Sequence, residues 1–139
     1  MARRAARSNR RSAYGGFLED LAREIDEDRE SLLKAMGRLG VGVDRLKVFG
    51  GWGSEKLGRL KLNGRLLGYS PLSRVVELEA LLLAVQGKLA LWRSLEHLKT
   101  DLSQLSGFDF ATLIARAETQ VAELERNRLR AVADALGDG

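Results

Sequence analysis

The sequence predicts an all-α fold: a four-helix, mainly antiparallel bundle preceded by a disordered Arg-rich N-terminal arm. Three observations carry that expectation. The stretch from Ser70 to Leu98 opens with Ser-Pro and continues as one long apolar run, through Leu78, Leu81, Leu82, Leu83, Val85, Leu89, Leu91 and Trp92. Elsewhere apolar residues recur at steps of three and four, the helical period. The connections between these segments are short, which favours antiparallel neighbours.

Residues 1–15 are Arg, Ala, Ser, Asn and Gly with almost nothing to bury, so a disordered basic arm is expected. The remaining body, residues 16–137, reads as one domain. Its first helix covers about 17–39, where Leu18, Leu21, Ile25, Leu32, Met36 and Leu39 form a stripe. Gly40 and Gly42 end it, because a helix commonly stops on a residue in the left-handed region that glycine tolerates.

The segment 44–68 reads two ways. Asp44 can cap a helix over about 44–62, in which Leu46, Phe49, Gly53, Leu57, Leu60 and Gly64 share one side. Against it, each interior glycine costs about 1 kcal/mol relative to alanine, and residues 59–67 place alternating strand residues around Asn63-Gly64, a strong hairpin signal. A lone hairpin of such short strands is marginal unless packed, and nothing else in the chain reads as strand. The helix is therefore the expectation.

The third helix covers about 71–99. Ser70 can accept an orphan amide as N-cap, and Pro71 lacks the amide that would go unpaired at the first helical position. A helix this apolar all round is expected to be covered by others. Leu82, near its middle, is taken as a core position whose truncation to alanine should cost about 2–5 kcal/mol. The fourth helix, about 109–136, has one stripe (Phe110, Leu113, Ile114, Ala117, Val121, Leu124, Ala131) and a charged opposite side.

Residues 55–95 resemble a segment of small α-helical proteins from high-GC bacteria. The resemblance implies a helical hairpin over 55–98 and carries no activity with it. In outline the predicted bundle is similar to ferritin-like proteins, which bears on fold alone.

Charge is unevenly placed. Arg3, Arg4, Arg7, Arg10 and Arg11 account for the net +4; without them 18 basic residues face 19 acidic ones. Glu19 to Glu30 is acidic, and Arg45 to Arg65 is basic. No apolar h-region follows Arg10-Arg11, so a twin-arginine leader is not expected. The longest uncharged run of the third helix falls far short of the ~20 apolar residues of a membrane span. A soluble, cytoplasmic protein is the expectation.

Several chemistries fail on residue types. The absence of cysteine removes disulfides, thiolate ligands and cysteine nucleophiles. A di-iron site of the ferritin kind needs Glu-x-x-His pairs from two helices, but the sole histidine, His97, has Ser94 three residues before it. Structural zinc wants four Cys/His ligands. Gly53 and Gly58 are followed by Arg59 and Leu60, where a phosphate loop needs Lys and Ser/Thr. A Ser-His triad would rest on Ser94 and His97 of one helix with no orienting acid. No metal or cofactor is expected. His97 instead suits the negative end of its helix dipole.

Two carboxylates stand out. Asp28 lies on the first stripe, between Ile25 and Leu32, and Glu79 lies in the apolar stretch of the third helix. Burying either costs several kcal/mol unless it is paired, with Lys56, Arg59 or Lys88 as candidate partners. The expected function is a non-enzymatic binding or assembly module, with a protein partner or a second copy in a homodimer. The alternative is a nucleic-acid-associated protein using the five arm arginines and the basic 45–65 segment, since Lys/Arg on phosphates release counterions. An enzyme is the third reading.

Overall fold

A computed structural model describes residues 2–41 and 71–137 of the chain. Every regular element among them is helical: α1 (Ala2–Arg38), α2 (Pro71–Lys99), a 3-10 turn (Ser103–Leu105) and α3 (Phe110–Leu136). The expected helix over 44–62, and the choice between helix and hairpin over 59–67, lie outside the described residues. The chain divides into two compact units, Met1–Lys34 and Ala35–Gly139, taken separately below.

In the first unit the helix begins at Ala2, so the segment expected to be a disordered arm has helical backbone instead. Burial was the wrong criterion there: alanine and arginine stand near the top of the helix-propensity scale whatever they bury, and no proline interrupts them. Within α1, Leu21 and Asp28 are buried, one heptad apart.

The second unit opens with the last turn of α1. Ala35, a further heptad on, is buried. Gly40, at φ 68°, closes the helix. Its amide donates to the Gly37 carbonyl and the Val41 amide donates to the Met36 carbonyl, the paired bonds that satisfy a helix's last carbonyls when a left-handed residue follows.

The remainder of this unit is an α2–α3 hairpin, and its cross-links fix the direction. Lys99 reaches Phe108, Arg93 reaches Glu118, Lys88 reaches Gln120, and Glu79 reaches Arg128. Positions fall along α2 as they rise along α3, so the helices are antiparallel. Its core comes from Val75, Leu78, Leu81, Val85, Leu89, Trp92 and Leu95 of α2, with Phe110, Ala117, Leu124 and Ala131 of α3.

The loop end is closed. Amides of Asp101 and Leu102 both donate to the Leu98 carbonyl, and Leu105 of the 3-10 turn is wholly buried. Trp92 and Phe110 stack with centroids 6.1 Å apart, Phe110 and Phe108 at 5.5 Å. The Arg38 guanidinium lies 5.3 Å from the Phe108 ring centre, a cation-π contact onto the end of this row. Asp109 caps α3, accepting from the Thr112 amide at 3.1 Å and its hydroxyl at 2.6 Å.

Candidate functional site

Among the described residues, one face of α2 is covered and the other is not. Leu83 is 70% exposed, Leu72 61% and Val76 59%; the expected helix 44–62, which could supply further cover, lies outside the described residues. Leu82 and Leu91 are half-buried, and the core position is Leu78 rather than Leu82. Leu82 shares a heptad row with Val75 and Leu89, both buried, so helical phase alone does not explain its partial exposure.

On the side away from α3, Leu72, Val76, Ala80, Leu83, Gly87, Ala90 and Ser94 follow one another at steps of three and four. All seven are exposed and none is charged. The stripe spans about 33 Å at 1.5 Å per residue. A helix side this long without a charge is unusual in water-facing positions, and contiguous apolar surface commonly marks an interaction site. Its nearest charged neighbour, Glu79, lies at the edge of the stripe. Glu79 is half-exposed and 3.8 Å from Arg128, so of the two carboxylates that stood out only Asp28 is buried; Glu79 borders α3 at its solvent edge.

Asp28 is buried at 2% exposure, as its place in the α1 stripe requires; Lys56 and Arg59, the partners expected for it, lie outside the described residues. Lys88 is half-buried, and its ammonium donates to the side-chain oxygen of Gln120, itself buried on α3. Gln120 was missed in the sequence, although its place three after Ala117 and four before Leu124 was a sufficient signal. Glu77, likewise not singled out, is buried on α2 at 7% exposure. Arg3, Arg4, Arg7, Arg10 and Arg11 fall within the helical backbone of α1.

Two open depressions flank the loop end of the hairpin. One is lined by Arg93, Glu96, His97 and Ile114, the other by Glu96, Lys99, Thr100, Asp109, Phe110 and Ala111. His97 is exposed in the last turn of α2, and its carbonyl accepts from the Thr100 hydroxyl. The Lys99 ammonium is spent on the Phe108 carbonyl at 2.6 Å. Hydrogen bonds from the Thr112 hydroxyl and amide hold the Asp109 carboxylate below its ordinary pKa. The Arg128 guanidinium, in a two-point contact with Glu125, lowers that carboxylate and is itself raised by it. Both effects stabilise charge in place, on groups that stay ionised at neutral pH. Among the described residues no group of three or more His, Asp or Glu side chains stands close enough to hold a metal ion, and no helix is long and apolar enough to cross a membrane.

Comparison with family models, with curated proteins and with solved structures gives no match for this chain.

Proposed function

We propose that the chain is a non-enzymatic binding or assembly module that works through the outer side of α2. The observation behind this reading is the exposed, uncharged stripe from Leu72 to Ser94, on a helix whose opposite side is already packed on α3. Exposed leucines at one helical spacing lose free energy to water, at about 25 cal/mol per Å² of apolar area, and a partner helix laid along them recovers it. Capture from native lysate tests the reading. A helical partner held by the wild-type chain should be lost by Leu83→Asp, while circular dichroism and melting stay unchanged. Capture indifferent to Leu83→Asp refutes it.

A second reading, association with nucleic acid, draws on one observation: α1 is helical from Ala2, so the five arginines stand at helical spacing on continuous backbone. Retention on DNA should then weaken as salt rises. Changing all five to glutamine should reduce the log–log salt slope by about four, from the slope of ~0.9 per neutralised phosphate. An unchanged slope rules the arm out.

A further inference from the structure

We infer that residues 2–12 of α1 bind double-stranded DNA, with Arg3, Arg4, Arg7, Arg10 and Arg11 set on its phosphates as one helical face. This inference rests on the second reading above and names the form of nucleic acid and the way it is held. The first argument is phase. The backbone is helical from Ala2, so these five positions fall within about 120° of the helix circumference at 3.6 residues per turn. They span about 12 Å along the axis at 1.5 Å per residue. Every other residue from Ala2 to Ala13 is Ala, Ser or Asn, and the arc carries no acid. Arginine suits phosphate in such an array because its planar guanidinium can take two oxygens at once.

The charges are placed against the helix they sit on. Arg3–Arg7, Arg4–Arg7, Arg7–Arg10 and Arg7–Arg11 stand three or four residues apart, and like charges at these steps destabilise a helix. The first turn holds no acid, although the N-terminal end of a helix dipole favours one. Countercharge is not at hand in the neighbouring sequence. The first carboxylate is Glu19, about 12 Å beyond Arg11 along the axis. Residues 42–70, outside the described ones, hold six Lys/Arg against Asp44 and Glu55. A polyanion laid along the arc supplies what the helix lacks, and counterions are released at each phosphate neutralised.

Shape selects the duplex. An α-helix with its side chains is about 10–12 Å across, and the major groove of B-DNA, ~12 Å wide, admits it. Double-stranded RNA offers a major groove too deep and narrow for this. Single strands are held by stacking bases on aromatic rings, and residues 2–13 have none. An anionic bilayer would need large apolar side chains to bury beside the basic face, and these residues offer nothing apolar larger than alanine.

Fluorescence anisotropy of the full chain with a labelled mixed-sequence DNA duplex tests the inference. Exchanging Arg7 with Ala5 and Arg11 with Ala13 (Arg7→Ala, Ala5→Arg, Arg11→Ala, Ala13→Arg) keeps composition and charge but moves two arginines out of the arc. The log–log salt slope should then fall by about 1.8, two contacts at ~0.9 each, with helix content by circular dichroism kept. Between about 50 and 200 mM salt, wild type should accordingly lose about twelvefold more affinity than the exchanged variant. Wild type should also hold the duplex more tightly than single-stranded DNA, duplex RNA or phosphatidylserine-rich vesicles. An unchanged slope after the exchange would mean that charge alone holds the DNA; it overturns the helical face and leaves the nucleic-acid reading standing. Single strands or duplex RNA bound as tightly as the DNA duplex overturn the partner named here, again without touching that reading. No salt-dependent binding to any of the three nucleic acids, or tighter binding to the vesicles, ends both.

Discussion

α2 and α3 are nearly equal in length, 29 and 27 residues, and each buries one face against the other. Their far sides differ. α3 turns Glu118, Arg126 and Arg130 to water, with Leu129 and Leu136 exposed among them, whereas α2 turns out Leu72, Val76, Ala80, Leu83, Gly87, Ala90 and Ser94, with no charge between them. The contrast separates two kinds of apolar helix. Apolarity interrupted by charge on the far side, as in α3, announces one main interface, which the chain itself satisfies. Two-sided apolarity, as in α2, announces two interfaces, and the described residues of this chain fill one of them.

The largest expected effects lie where the two helices meet. Trp92→Ala should cost about 3–5 kcal/mol, the range for emptying a buried aromatic site, because Trp92 is 1% exposed and stacks on Phe110. Among the described residues its indole N–H finds no acceptor, so Trp92→Phe removes a buried donor along with some volume and should cost far less than the alanine variant. Chemical denaturation of both variants checks this; equal losses would mean that the indole nitrogen is bonded after all.

Gln120 is the polar counterpart of that core. Gln120→Ala opens a cavity and takes an acceptor from the Lys88 ammonium, and hydrogen bonds to charged groups contribute about 1.5–3 kcal/mol. A loss of about 2–3 kcal/mol is expected by denaturation. Gln120→Leu keeps the volume, and half-buried Lys88 can turn to water, so this variant should stay within about 1 kcal/mol of wild type. Two equal losses would show that the polar contact, and not packing, stabilises this part of the interface.

How far the sequence revealed the molecule follows from the same contrast. α2 and α3 run over Pro71–Lys99 and Phe110–Leu136, against 71–99 and 109–136 read from caps and periodicity, because a serine–proline start and an aspartate cap are local chemistry. The helicity of residues 2–15 was hidden by a test of burial, to which alanine and arginine are indifferent. Leu82 was mistaken for a core residue because periodicity on a two-sided helix has no unique phase: Leu78, Leu82 and Leu83 look alike until α3 is in place. With Leu82 half-buried, Leu82→Ala should fall near or below the ~2 kcal/mol lower end of the leucine range. Equal costs at Leu78 and Leu82 would mean that the helix is covered more evenly than these contacts show. The exposed stripe was itself visible as missing charge, but which apolar side faced α3 depended on partners remote in sequence.

The next effect has the opposite sign. Gly87→Ala should stabilise the chain by about 0.5–1 kcal/mol, since alanine is the better helix former and no described residue stands within 4 Å of the added methyl group. Measured at low concentration, melting should rise. A loss of stability there would place a neighbour against Gly87 within the single chain.

The smallest effect is a matter of pH. Asp109 is exposed, and its carboxylate holds the first turn of α3 through the Thr112 amide and hydroxyl. These bonds favour the charged form, so its folded pKa lies below the ordinary aspartate value of about 3.9. A depressed carboxylate contributes stability that is fully present above the unfolded pKa and is lost as pH falls through the folded one. Asp109→Ala should therefore lower the melting temperature at neutral pH by a small amount, and wild type and variant should converge as pH drops below about 3.9, because protonation removes from the wild type what the substitution removes from the variant. Asp109→Asn should keep part of the cap, since an amide oxygen can still accept from the Thr112 amide, and should show little of this pH dependence. Parallel melting curves for wild type and Asp109→Ala down to pH 2 would mean that the ionised carboxylate does not hold the start of α3. The loop end would then depend on the Trp92–Phe110–Phe108 stack and the buried Leu105 instead.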